Sequence, residues 1–169
     1  MNYFELFNVP VTLKPDKAKI KHSFYELSRK YHPDFYINDT EMEQQFALEQ
    51  TAIINKAFKV LCNEEEIIKY ILQIKELLTE DEKYTLPSDF LMEVMELNEQ
   101  LTDAKLENNE AQIASLLNNI NQFKQNIYEP VKSIFENAKE TVYSQEELLQ
   151  VKDYYFKKKY LNRILAGLD

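Results

Sequence analysis

A chain of 169 residues with one Gly, five Pro, one Cys and no Trp has no Gly-rich phosphate loop, no disulfide framework and few of the turn residues that β-hairpins use. A hydrophobic share of 44% suffices for a core, and no apolar run approaches the roughly 20 residues that cross a bilayer. The net charge of −9 argues against nucleic-acid binding, which needs cations to neutralise phosphates. The opening residues, Met1-Asn2-Tyr3-Phe4-Glu5-Leu6-Phe7, lack the pattern of a secretory signal or a transit peptide. The expectation is an all-α, cytoplasmic protein with no membrane segment.

Tyr3 to Phe7 reads as one or two helical turns, ended around Pro10. The spacing of Ile20, Phe24, Leu27 and Tyr31 predicts a helix over 15–31, opened by Pro15 and Asp16 and stopped by Pro33. A polar loop follows. Thr40 with Glu43 forms a capping box for a helix to about Leu61, which buries Ile54, Ala57, Phe58 and Leu61. Asn63 with Glu66 opens a further helix, with Ile67, Ile71, Ile74 and Leu78 as its stripe. Residues 79–87 are polar and end in Pro87, a natural junction. Beyond it, Ser88 or Asp89 caps a long helix. A second helix runs from about Asn108 to Glu140, striped by Ile113, Leu116, Leu117, Ile120, Ile127, Val131, Ile134 and Phe135 and kinked at Pro130. Ser144 with Glu147 opens a third helix, to about Leu168. Three such helices can bury a core of their own. The chain thus divides into a helical module over 1–78 and a three-helix bundle over 79–169.

Charge is unevenly placed. Residues 14–34 carry six bases against three acids, while 89–103 carry five acids and no base. These runs are either solvated faces or docking surfaces for two different partners. Chemistry of the chain's own is not expected. His22 and His32 stand ten residues apart, more than two helical turns, and cannot share a metal. No nucleophile sits in an elbow, and the single Cys62 supports no metal cluster. Neither a cofactor nor a metal site is expected.

The sharpest motif is Tyr31-His32-Pro33-Asp34, between a basic amphipathic helix and a capped antiparallel one. On the helical wheel, Lys19, Lys21, His22, Arg29 and Lys30 fall outside the apolar stripe and face water. The combination resembles the J-domain, which docks on DnaK-type ATPase chaperones. That resemblance implies a chaperone-binding face made of His32, Pro33 and Asp34 with Lys21, Arg29 and Lys30. Generic J-domains usually carry a basic pair where this chain has Tyr25 and Glu26, a departure that suits a specialised chaperone.

A second surface lies within 90–103. Phe90, Val94, Leu97 and Leu101 form the core face. At about 100° per residue, Leu91, Met92, Met95, Glu96, Glu99 and Asp103 fall in an arc of roughly 140° away from it. Flexible thioethers edged by carboxylates make an adaptable apolar patch, unless Leu91 and Met95 are core margin. A J-domain followed by a bundle that opens with Phe90-Leu91-Met92-Glu93 resembles the HscB family of iron–sulfur co-chaperones, nearly end to end and including Ile54-Asn55-Lys56-Ala57. The resemblance implies an adaptor, not an enzyme, that brings the scaffold protein IscU to the chaperone HscA and stimulates ATP hydrolysis there. It places the scaffold on Leu91, Met92, Met95, Glu96, Glu99 and Asp103, joined by an aromatic of the last helix best matched by Phe156. Leu149, Phe156, Tyr160 and Ile164 equally suit a core stripe. With no N-terminal cysteine-rich element, a bacterial-type form fits. Two other readings stand beside it: an adaptor for a general DnaK chaperone with a different client, and a purely structural helical adaptor.

Overall fold

The first four α-helices start at side chains that accept the orphan amides of a first turn. In the computed structural model, which describes residues 1–137 and 142–166, Asn2 caps α1 (Tyr3–Leu6) and Asp16 caps α2 (Lys17–Lys30). Thr40 and Glu43 close the expected capping box on α3 (Glu41–Leu61), and Asn63 caps α4 (Glu64–Ile74). The hydrogen bonds from Thr40 hold the Glu43 carboxyl below its usual pKa. Among the described residues no strand occurs, and the protein is all-α. No helix among them is long and apolar enough to cross a membrane.

Residues up to Glu76 form one compact unit, and Leu77–Asn137 with the chain from Tyr143 form another. In the first unit α2 and α3 pack as a hairpin, with α1 and α4 against α3. Phe4, Phe7, Ile20, Ala47, Ile54, Ala57 and Leu61 are buried. Phe24 stacks on Phe58 with ring centroids 4.0 Å apart, so Phe58 is half-buried rather than fully enclosed. Tyr3 stacks on Tyr70 at 4.4 Å, and the Tyr3 N–H donates to the Tyr70 hydroxyl at 2.9 Å, fastening α1 to α4. Helix α4 ends at Ile74, where Glu76 turns the chain at φ +58°. Leu78 is therefore buried outside the helix, and Ile68 and Leu72 widen the buried stripe instead.

In the second unit α5 (Ser88–Leu106), α6 (Glu110–Tyr128) and α8 (Gln145–Leu165) pack mutually as a three-helix bundle. Phe90, Val94, Leu101, Leu116, Ile120, Phe123, Leu161 and Leu165 belong to one core cluster. Four expectations need correction. Neither Ser88 nor Asp89 caps α5: Pro87 occupies the N-cap, with no side-chain bond. The long second helix is not continuous, because Pro130 lacks an amide and forces a 3-10 turn over Glu129–Val131, after which α7 (Lys132–Glu136) is only one further turn. Its expected end at Glu140, like Leu168 at the other terminus, lies outside the described residues. Leu117 is exposed and Phe123 takes its place inside. On α8, whose Ser144–Glu147 capping box is present, Leu149 is exposed while Leu148, Val151, Tyr154 and Tyr155 are buried.

Candidate functional sites

The His-Pro-Asp segment sits where α2 gives way to a 3-10 turn over Pro33–Tyr36. Pro33 starts that turn, where its missing amide costs nothing. Two of the last carbonyls of α2 and its cap are reached by side chains: the Tyr36 hydroxyl donates to the Lys30 carbonyl at 3.2 Å, and the Thr51 hydroxyl on α3 lies 3.1 Å from that of Tyr31, sharing its single proton with the Ala47 carbonyl at 2.9 Å. The turn is thereby tied to both helices of the hairpin, while its functional groups stay in solvent. Asp34 is 77% exposed and His32 54%. The Asp34 N–H donates to His32 Nδ1 at 3.3 Å, and the Asp34 carboxylate lies 3.6 Å from the same nitrogen. These two contacts exclude each other: the first needs a lone pair on Nδ1, the second a proton there. With either, the carboxylate keeps free acceptor capacity for a partner.

A groove of about 520 Å³ is lined by Tyr25, Ser28, Arg29, His32, Asp34 and Phe35. It brings Arg29, His32 and Asp34 together; Lys21 and Lys30 are exposed on α2 but do not line it. Lys30 lies over the Tyr31 ring, 5.1 Å from its centroid. Two aromatics not predicted as site residues do line the groove. Phe35 is 69% exposed and packs edge-on against His32 at 6.2 Å, and Tyr25 is 56% exposed. Glu26 is engaged by His22 at 3.3 Å, so the position where a base is usual in J-domains holds a carboxylate paired along the helix.

On α5 the wheel prediction divides. Met92 and Met95 are 71% and 59% exposed, and Glu96, Glu99 and Asp103 face solvent. Leu91 is half-buried and packs against the core cluster, so it forms the margin between patch and core. Leu106, just beyond the predicted run, is also exposed and falls on the same arc at about 100° per residue. The same helical period that marks Met92 and Met95 marks it too.

Phe156 is half-buried, stacked on Tyr84 at 4.5 Å with the rings within 5° of parallel, and edge-on to Tyr155. The Tyr84 hydroxyl donates to Asp153 at 2.9 Å, and Lys157 pairs with the same carboxylate. Lys152 donates to the Leu77 carbonyl and meets Glu82, both at 2.7 Å. The Glu82 contact is an ion pair without an aligned hydrogen bond at the buried Oε2. Burial first, then the bond to Asp153 and the charges of Asp153 and Glu82, push the Tyr84 phenol up to about 12. This network straps residues 77–84 onto α8 and fixes Phe156. Tyr84 and its partners are some seventy residues apart in sequence, and no local pattern announces them. No cluster of three or more His, Cys, Asp or Glu that could hold a metal occurs among the described residues.

A helical hairpin joined by a braced, exposed His-Pro-Asp turn defines a J-domain, and the DnaJ domain family model matches residues 2–70. The protein is of the J-domain co-chaperone class, which works with DnaK-type ATPase chaperones. The model described as HSCB C-terminal oligomerisation domain matches residues 86–169. The co-chaperone HscB homologue of Shewanella pealeana is 30% identical over 166 residues, 97% of this chain and 92% of its own length. That of Shewanella halifaxensis is 33% identical over 136 residues, 79% of this chain and 78% of its own. The structure of HscB from Vibrio cholerae aligns with a TM-score of 0.80 at 26% identity, over 99% of this chain and 95% of that one. Human HscB aligns with a TM-score of 0.77 at 25% identity, over 99% and 80%. The chain belongs to the HscB co-chaperone family, adaptors rather than enzymes.

Proposed function

We propose that this protein joins an HscA-type ATPase chaperone to an IscU-type iron–sulfur scaffold protein and stimulates ATP hydrolysis by the chaperone. The chaperone docks on the first unit, within 1–78, through His32, Pro33, Asp34 and Arg29, with Lys21 and Lys30 steering an acidic partner. Tyr25 and Phe35 complete that face with apolar contacts. The scaffold docks on the bundle, within 79–169, through Leu91, Met92, Met95, Glu96, Glu99 and Asp103, and Phe156 joins them. Carrying both sites on one chain raises the local concentration of scaffold at the chaperone.

The observation that supports this best is the braced turn: an exposed carboxylate held over a groove by two helices. That bracing also speaks against a purely structural adaptor, for which Asp34 has no internal task beyond one weak contact. An exposed Tyr25 in place of a base favours a dedicated chaperone over the general one. Steady-state ATPase measurements test the reading. The chain should stimulate the dedicated chaperone more than a general DnaK, and scaffold added with it should raise the rate above either alone. Equal stimulation of both chaperones, with no effect of scaffold, would sink it.

A further inference from the structure

A groove of about 240 Å³ on α8 is floored by Tyr84, Leu86, Phe156 and Tyr160 and flanked by two cations, Lys159 and Arg163. Lys159 lies over the Tyr155 ring at 5.8 Å, and Arg163 over that of Tyr160 at 5.2 Å. Neither meets a carboxylate within 4.0 Å among the described residues. The one acid that also lines the groove, Glu82, is already neutralised by Lys152 at 2.7 Å. Two positive charges without a carboxylate partner among the described residues thus border an aromatic floor in a chain of net charge −9. Aromatic faces under the two cations preposition them while leaving their charge outward. Leu86 and Tyr160 of this groove pack on the same core cluster as Leu91, the margin of the α5 patch.

We infer that this groove receives an acidic, apolar-anchored segment of the same client that covers α5. The inference rests on the reading of α5 as the client face and adds the chemistry of a second contact. A client docked on both must offer bases to Glu96, Glu99 and Asp103 and acids to Lys159 and Arg163. Reversing the client end for end then sets like charge against like at both places, so charge fixes its orientation as well as its affinity.

Calorimetric titration of the full chain with the apo scaffold protein tests this. Lys159→Glu/Arg163→Glu should weaken binding about tenfold or more and flatten its salt dependence. Lys159→Ala/Arg163→Ala should weaken it less, with an unchanged thermal melt as the control for folding. Unaltered affinity in both pairs, while Met92→Ala/Met95→Ala loses binding, would overturn the groove and leave the α5 reading standing. Unaltered affinity in all three would overturn both. A single-stranded oligonucleotide retained by the wild-type chain but not by the charge-reversed pair would assign the cations to nucleic acid and likewise overturn the inference.

Discussion

On the J-domain, polar groups ride on a turn; on α5, apolar groups ride on the middle of a helix. The turn has no fixed geometry of its own, so it borrows one. Pro33, the Tyr36 hydroxyl and Thr51 from the neighbouring helix hold it while His32 and Asp34 stay in water. The α5 face needs no such bracing, since helix geometry alone spaces Met92, Met95 and Glu99 along one side. Its thioethers lie exposed, and the carboxylates around them keep the apolar patch soluble. A charged site is thus held at a cost in positioning, an apolar one at a cost in solubility. The first should therefore fail abruptly when one group changes, the second by degrees.

The largest effect is expected at Asp34. Asp34→Asn keeps shape and acceptor but removes the charge, and should lower ATPase stimulation about 30-fold or more. Melting temperature and scaffold affinity should not move, since Asp34 is exposed and makes one weak internal contact. Retained stimulation would remove the turn from the mechanism. Next is the helix face. Met92→Ala/Met95→Ala should weaken scaffold binding about tenfold while each single change costs only a part. Leu91→Ala, at the core margin, should lower stability as well as affinity. Stability lost with Met92 or Met95 instead would make them core and leave α5 without a patch.

The legible parts of both sites share one property: their information is contiguous. His32-Pro33-Asp34 is a tripeptide, and the α5 face follows from a helical period applied to fourteen residues. Capping boxes at Thr40 and Ser144 were readable for the same reason. What escaped depends on which of two apolar residues the tertiary packing chooses. Leu117 and Phe123 both suit a helical stripe, and only the fold puts Phe123 inside. Pro130 announced a kink, but the 3-10 turn it makes and the single helical turn beyond it, which bury Val131 and Phe135, do not follow from the stripe alone. The exposure of Phe35 runs against its hydrophobicity, and nothing in the sequence around it announces it. Tyr84, Asp153 and Phe156 meet across the fold, and nothing local couples them.

Phe35 sets an apolar contact within the otherwise polar face of the turn. Phe35→Lys should raise the concentration for half-maximal ATPase stimulation about fivefold and leave the maximal rate unchanged. Added charge should also make stimulation more sensitive to salt. Phe35→Leu should recover most of the affinity. An unchanged half-maximal concentration in Phe35→Lys would confine the chaperone contact to the polar groups.

The smallest effect concerns how the bundle holds Phe156, which the proposed client face includes and a polar network braces. Tyr84→Phe keeps the ring stacked on Phe156 but removes the hydroxyl that Asp153 accepts from, at a cost of about 1 kcal/mol. The phenol pKa rises from an ordinary 10.0 to about 12 on folding. The folded state therefore holds the proton more tightly, and that stabilisation is fully present below pH 10. It is lost as pH climbs from 10 towards 12, where the folded form must ionise beside Asp153 and Glu82. The melting-temperature difference between wild type and Tyr84→Phe should accordingly shrink across this window and then reverse, because only the wild type forms a phenolate there. A difference that stays constant to pH 12 would show that the hydroxyl is not held by Asp153, and that Phe156 keeps its place by stacking alone. In that case the bundle's site, unlike the turn on the J-domain, needs no polar brace at any of its residues.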